Sequence, residues 1–472
     1  MGQIGRTGQQ AAIGSGGRRI AGNIAARIDR LPLTRTQYGL AALTQLFWGL
    51  LIATDGIVSR IYPFVWLPRH LLTPLQFNLI LLANIGLGIL IGEYSGGALS
   101  DRFGRKRVLL GGTVVTGLFL WPVALTNSFG WLFFWNLLFG IGIGMMLATN
   151  AVYLHEIAPP GTRQRLAQRT QLVAVVPSLV YTSVLAAVLL PAHYQLLLYI
   201  LAGTVLVVLI PLGTLLLPES PRWLESKLRV TEADAIVSRW ERTIEARRGP
   251  LPPPVEERHP VVATERVPLR EIFSGVYARR SILLLVGWFF GYSGMIYSAV
   301  SYIPSYLALH GWSAAQTFTV LILGAPAAVV AFWITAQVGE RVERRTLILF
   351  AGVAFAAVFL LFLAVESKVG QGVLVVLTYP LGVVWLFNMY NYTSCAYPTR
   401  LRSVGTGWTD GIGHLGSITA PLVAGTLFFA TVGQNMYGWI LWVALPGALL
   451  PALLVGLGGM RQRGGILEEL AT

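Results

Sequence analysis

The chain has 472 residues, 12% of them charged and 54% hydrophobic, with a formal net charge of +14. A soluble domain carries about twice that charge fraction, so the composition excludes a soluble globular protein. The basic residues fall mainly in alternate loops, as membrane topology requires, so the positive charge does not imply a nucleic-acid partner.

Apolar segments long enough to cross a hydrocarbon core recur along the whole chain. Each must satisfy its own backbone in lipid, which favours helices. Twelve spans are predicted: 40–60, 77–97, 108–126, 131–152, 171–190, 195–217, 282–303, 317–338, 346–365, 371–394, 404–430 and 437–458. The fold class read from them is an all-α membrane protein. Residues 1–39 are expected to form a cytoplasmic arm, 40–217 and 281–458 two six-helix bundles, 218–280 a cytoplasmic linker and 459–472 a cytoplasmic tail. Arginines crowd the N-terminal arm and the second and fourth loops, whereas "TNSFG", "PAHYQ" and "HGWSAAQ" carry no lysine or arginine. Both termini are therefore expected inside a cell (inner) membrane. In the linker, "RWLESKLRVTEADAIVSRWERTIEARR" reads as one or two surface helices, and "GPLPPPVEERHP" as a non-helical tether.

The second loop, "SGGALSDRFGRKRV", is a charged hairpin. "DRFGRK" at Asp101–Lys106 has a degenerate copy, "ERVERR", at Glu340–Arg345, 239 residues on. "YLHEIAPPGTR" at Tyr153–Arg163 matches "YTSCAYPTRLR" at Tyr392–Arg402 with the same offset. Two pairs sharing one offset indicate two pseudo-symmetric six-helix halves, a transporter signature. Gly97 and Gly104 are expected to serve the tight turn. The charged residues Asp101, Arg102, Arg105, Glu156, Arg163, Glu340, Arg341 and Arg402 are expected to form inner latches that break as the halves rock; a plain topological anchor is the alternative.

These residues resemble the major facilitator superfamily. "GGALSDRFGRKRVLL" looks like its signature loop between helices two and three. "YLHEIAPPGTRQR" and "LPESPRWL" are similar to motifs of its sugar-porter and organic-acid branches, and "GGILEEL" looks like the tail after helix twelve. The resemblance implies the major facilitator fold, alternating access and secondary transport. On helix seven, "FFGYSGMIYSAV" keeps Ser293 and Gly294 of the sugar-porter motif but has Phe290 and Gly291 where glutamines stand. Gln171 matches the helix-five glutamine of sugar porters. "TDGIVSR" at Thr54–Arg60 is closer to the Asp-Gly of aromatic-acid and nicotinate-type proton symporters, with Val58 in place of their second aspartate.

Ionisable groups inside spans are expensive and are therefore functional candidates. Asp55 is read as the proton carrier, against a rim ion pair with Arg60. Arg60 itself is expected near the outer mouth. Asp410 and His414, four apart on one helix face, form either a proton relay or a local packing bond. Glu93 is either a gate or a charge reaching the inner surface. For substrate, Asn150, Gln171, Tyr297, Tyr302, Trp385, Asn388 and Tyr392 offer aromatic faces with a few amides, which suit a flat, weakly polar ligand; helix packing is the alternative for each.

The lone cysteine, Cys395, excludes an internal disulfide. No metal cluster, cofactor motif or nucleophile–base set is evident, so no metal, no cofactor and no enzyme activity are expected. The expected partners are a small-molecule substrate, protons and the lipid bilayer, with the chain acting as a monomer. The reading is proton-coupled uptake of a small organic or aromatic acid. Its rivals are a sugar or polyol transporter, an exporter of hydrophobic drugs and a transporter-like sensor.

Overall fold

The computed structural model describes residues 24–159, 162–190, 192–254, 269–338, 342–362, 364–397, 399–430 and 437–461. The long helices are α1 (Arg35–Trp66), α2 (Pro74–Phe103), α3 (Arg105–Leu125), α4 (Phe129–Ile157), α5 (Arg163–Leu189), α6 (Tyr194–Leu216), α7 (Gly275–Leu309), α8 (Ala314–Val338), α9 (Arg344–Phe362), α10 (Lys368–Cys395), α11 (Trp408–Ala430) and α12 (Ile440–Gly458). Of these, 11 are long and apolar enough to cross a membrane among the described residues. The twelfth, α5, opens with the polar run "RQRLAQRTQ" and carries its apolar stretch over Pro177–Leu189.

The helices form two six-helix bundles whose packing repeats. In the first half α1 packs on α5, α2 on α4, and α3 on α4 and α6. In the second half α7 packs on α11, α8 on α10, and α9 on α10 and α12. The halves meet through α5–α8, α2–α11 and α1–α7.

Small residues set the closest approaches, as is usual between membrane helices. A Cβ on Gly144 of α4 would lie 2.8 Å from the Glu93 backbone nitrogen and 2.9 Å from the Gly92 Cα of α2. This contact fixes the depth of Glu93. Both α2 and α7 switch to π-helical hydrogen bonding in mid-membrane, over Leu82–Gly88 and Gly291–Ser298. Such turns re-aim side chains, here Asn84, Tyr292 and Tyr297.

The linker forms two helices, Pro221–Ser226 and Val230–Arg248, and the proline-rich 249–254 is non-helical. A short helix, Ile24–Asp29, docks on them: Arg27 Nη2 is 2.6 Å and Arg30 Nη2 2.5 Å from the Glu241 carboxylate, and Arg27 Nη1 is 2.5 Å from Asp234. Burial pushes the Glu241 carboxyl up, but its bonds to Arg27 and Arg30 outweigh this and hold it below its ordinary value. The Arg27 bond likewise holds Asp234 down.

Candidate functional site

The hairpin turns at Gly104, whose φ of 108° is costly for a residue with a Cβ. Gly97 lies inside α2 with nothing within 4 Å of a Cβ position, so the turn does not use it. Arg105 is buried and bridges two carboxylates, at 2.6 Å from Asp101 Oδ1 and 2.9 Å from Glu156 Oε1. The α3 N-terminus is capped from the linker: the Arg105 and Lys106 amides donate to Glu219 Oε1 at 2.8 and 3.0 Å. Arg102 stays exposed, over the ring of Phe103. Among the described residues, these hairpin ion pairs join helices of one half and do not cross to the other. Glu340 and Arg341 lie outside the described residues, as do the side chains of Arg163 and Arg402.

The 239-residue repeat is visible in contacts. Tyr153 donates to the Pro218 carbonyl at 2.9 Å, and Tyr392 donates to the Met460 carbonyl at 3.2 Å. Arg105 meets Glu156, while their counterparts Arg344 and Cys395 meet at 3.1 Å from Nη1 to Sγ.

Further from the hairpins, Asp55 of α1 is buried, and Asn84 Nδ2 of α2 donates to its Oδ1 at 2.6 Å. Arg60 is 3% exposed and lies within the protein, which corrects the expected place at the mouth. The apolar "IYPFVW" carries α1 six residues past Arg60, so the span does not end there. No ion pair joins Arg60 to Asp55 among the described residues. The guanidinium instead crosses to the second half. It lies 6.0 Å from the Phe318 ring centroid of α8, with Tyr379 of α10 within electrostatic reach. Its Nη1 is buried without a hydrogen-bond partner in the protein, as are Thr54 Oγ1 and Asn150 Oδ1.

Asp410 and His414 share one face of α11, and His414 Nδ1 lies 3.1 Å from the Asp410 carbonyl. Glu93 of α2 reaches the same imidazole, at 3.5 Å. The Tyr297 ring lies 6.4 Å from the His414 imidazole, centroid to centroid, and within electrostatic reach of Asp55, Glu93 and Asp410.

Other candidates are committed elsewhere. The Tyr302 hydroxyl donates to Asn78 Oδ1 at 3.0 Å, inside an aromatic plug on the face opposite the hairpins. In that plug Tyr62 stacks on Phe77 at 3.9 Å, with Phe428 and Phe429 against Tyr302. Trp385 packs on Gly291 and Trp288, with its Nε1 buried and unpartnered within the protein. Asn388 donates to the Val384 carbonyl of its own helix at 2.7 Å. Tyr392 is at the hairpin end, lining a cavity of about 570 Å³ with Arg279, Arg280, Arg345 and Arg461. The Gln171 side chain lies outside the described residues.

Asn84, Tyr292, Tyr379 and Tyr390 were not singled out from sequence. Asn84 carries a signal, an amide alone in the apolar run "LLANIGLGIL". The tyrosines carry none, because packing and interface tyrosines look the same.

The chain matches the family model "Major Facilitator Superfamily" over residues 56–421. It is 26% identical to the niacin transporter NiaP of Acinetobacter baylyi, over 95% of this chain and 99% of that protein. It is 25% identical to the 4-hydroxybenzoate transporter PcaK of Pseudomonas putida, over 91% and 93% of the two chains. In fold it resembles the inward-open xylose transporter XylE from E. coli, with a TM-score of 0.62 at 17% identity, covering 92% of this chain and 98% of that one. The chain is a multi-pass membrane transporter of small molecules, not an enzyme, and it belongs to the major facilitator superfamily.

Proposed function

We propose that the protein takes up a small aromatic or organic acid together with a proton. The observation that carries this reading is the buried, incompletely partnered guanidinium of Arg60, set between aromatic residues of the other half. A buried arginine with an open donor is suited to a carboxylate, and the adjoining rings suit a flat ligand body. Asp55 lies five residues away, with a single carboxylate oxygen bonded to Asn84. One guanidinium cannot balance two buried anions cheaply. The substrate carboxylate therefore enters with a proton on Asp55, and the pair moves as a neutral unit. The relatives named for niacin and 4-hydroxybenzoate support the substrate class.

In this reading the bundles 40–217 and 281–458 rock about the Arg60–Asp55 level, in a single chain in the inner membrane with the hairpin face to the cytoplasm. The test is uptake of benzoate-type acids, nicotinate, a hexose and a polyol by cells expressing the protein, with and without a protonophore. Acid uptake should collapse with the gradient and in Asp55→Asn. It should fall at least tenfold in Arg60→Gln and partly return in Arg60→Lys. Hexose or polyol uptake indifferent to the gradient and to both sites would overturn the reading.

A further inference from the structure

Glu93 belongs to the first half, and Asp410 and His414 to the second, yet they meet in the interior. His414 is 3% exposed, and its Nδ1 lies 3.5 Å from Glu93 Oε2 and 3.8 Å from Asp410 Oδ1. Tyr292 of α7 donates to Asp410 Oδ1 at 2.8 Å, and its hydroxyl lies 2.8 Å from that of Tyr390 on α10. The Tyr292 ring sits 4.2 Å from the imidazole, centroid to centroid. Tyr297 closes the side towards Asp55. These tyrosines are the other titratable groups facing the cluster among the described residues, and no lysine or arginine joins it.

Two carboxylates and one imidazole reach neutrality only with two protons aboard. With one proton, an imidazolium between two carboxylates still draws α2 and α11 together. With none, two like charges face each other across the seam between the halves, at a cost no neighbouring cation offsets. Glu93 is eight residues from Asp101, about 12 Å along α2, so the cluster lies between the hairpins and Asp55.

We propose that Glu93, His414 and Asp410 form a second proton site, which bolts the two halves together on the hairpin side of Asp55. Protonated, it holds α2 against α11. Deprotonated, it lets that side open, and Tyr297 stands where protons would pass towards Asp55. The proposal rests on the proton-coupled reading above and adds the group that ties protons to opening.

Pulsed electron resonance distances test it on purified protein without substrate or gradient. Spin labels go on Arg107→Cys and Val276→Cys, in a Cys395→Ala background. Both positions are exposed at the hairpin ends of α3 and α7. Between about pH 5 and about pH 8.5, the range in which perturbed carboxylates and histidine titrate, the distance should lengthen as pH rises. Glu93→Gln removes the charge at nearly unchanged shape, so it should hold the short distance throughout. His414→Gln leaves two carboxylates without a cation, so it should show the long distance at lower pH than the parent. A distance that ignores pH, or a Glu93→Gln protein with the parent's transition, overturns the bolt. Asp55→Asn should keep the transition. In the parent protein, acid uptake indifferent to the proton gradient with the pH transition intact counts against the Asp55 reading alone, and gradient-driven uptake without the transition counts against the bolt alone.

Discussion

At the hairpin end of the first half, Arg105 lies between Glu156 and Asp101, and a linker glutamate caps the helix it begins. At the same place in the second half, Arg344 meets the sulfur of Cys395, and Arg345 pairs with its near neighbour Glu343 at 2.6 Å. The tyrosine anchors Tyr153 and Tyr392 are alike. The backbone plan is thus shared, while the group that meets the arginine differs, a carboxylate in one half and a thiol in the other. A buried arginine between carboxylates is costly to break, whereas an arginine–thiol contact carries little charge complementarity. Of these two contacts, Arg105–Glu156 is the costlier to break.

The largest expected effect separates the two. Glu156→Ala leaves Arg105 buried with only the exposed Asp101, and should cost about 3–5 kcal/mol. Thermal unfolding in detergent should register this as a large fall in Tm or as loss of folded protein. Cys395→Ala should shift Tm by far less, and an equal fall for both would erase the comparison. An intermediate effect is expected from Cys395→Glu, which restores the carboxylate of the first half beside Arg344. It should raise Tm, and a fall would mean that the site beside Arg344 does not accept a carboxylate.

The smallest effect concerns the linker. Glu241 and Asp234 are held below their ordinary values when folded. Their contribution to docking Ile24–Asp29 is therefore complete above the ordinary carboxylate range, and is lost as pH falls through it towards the folded-state values. Asp234 is half exposed, so solvent screens its share. Hydrogen exchange of residues 24–31, corrected for intrinsic rate, should accelerate on acidification, and Glu241→Gln should show the faster rate already at neutral pH.

The fold was legible because its signals are redundant: repeated apolar spans, alternating loop charge, and one offset shared by two motif pairs. The contacts at Arg105–Glu156 and Arg344–Cys395 give that offset physical meaning. The two linker helices were also legible, from a proline-bounded amphipathic run. At the site, Asp55, Glu93, Asp410 and His414 stood out because charge inside a span has few structural uses. What sequence could not supply was which half each charge faces. Glu93 meeting His414 is a contact between residues 321 positions apart, from opposite halves. Arg60 was misplaced because a charge marked the end of the apolar count, although "IYPFVW" continues the helix beyond it. Tyr392, a substrate candidate by residue type, stands at the hairpin end because α10 is long enough to carry it there, where it lines a cavity with arginines and bonds the Met460 carbonyl.

The central claim is that an acid and a proton bind together at Arg60 and Asp55. The most direct measurement is proton uptake by purified protein in weakly buffered solution when nicotinate or 4-hydroxybenzoate is added. The account predicts about one proton taken up per bound anion, and none in Asp55→Asn. Binding of the anion with no proton uptake by the parent protein would contradict it.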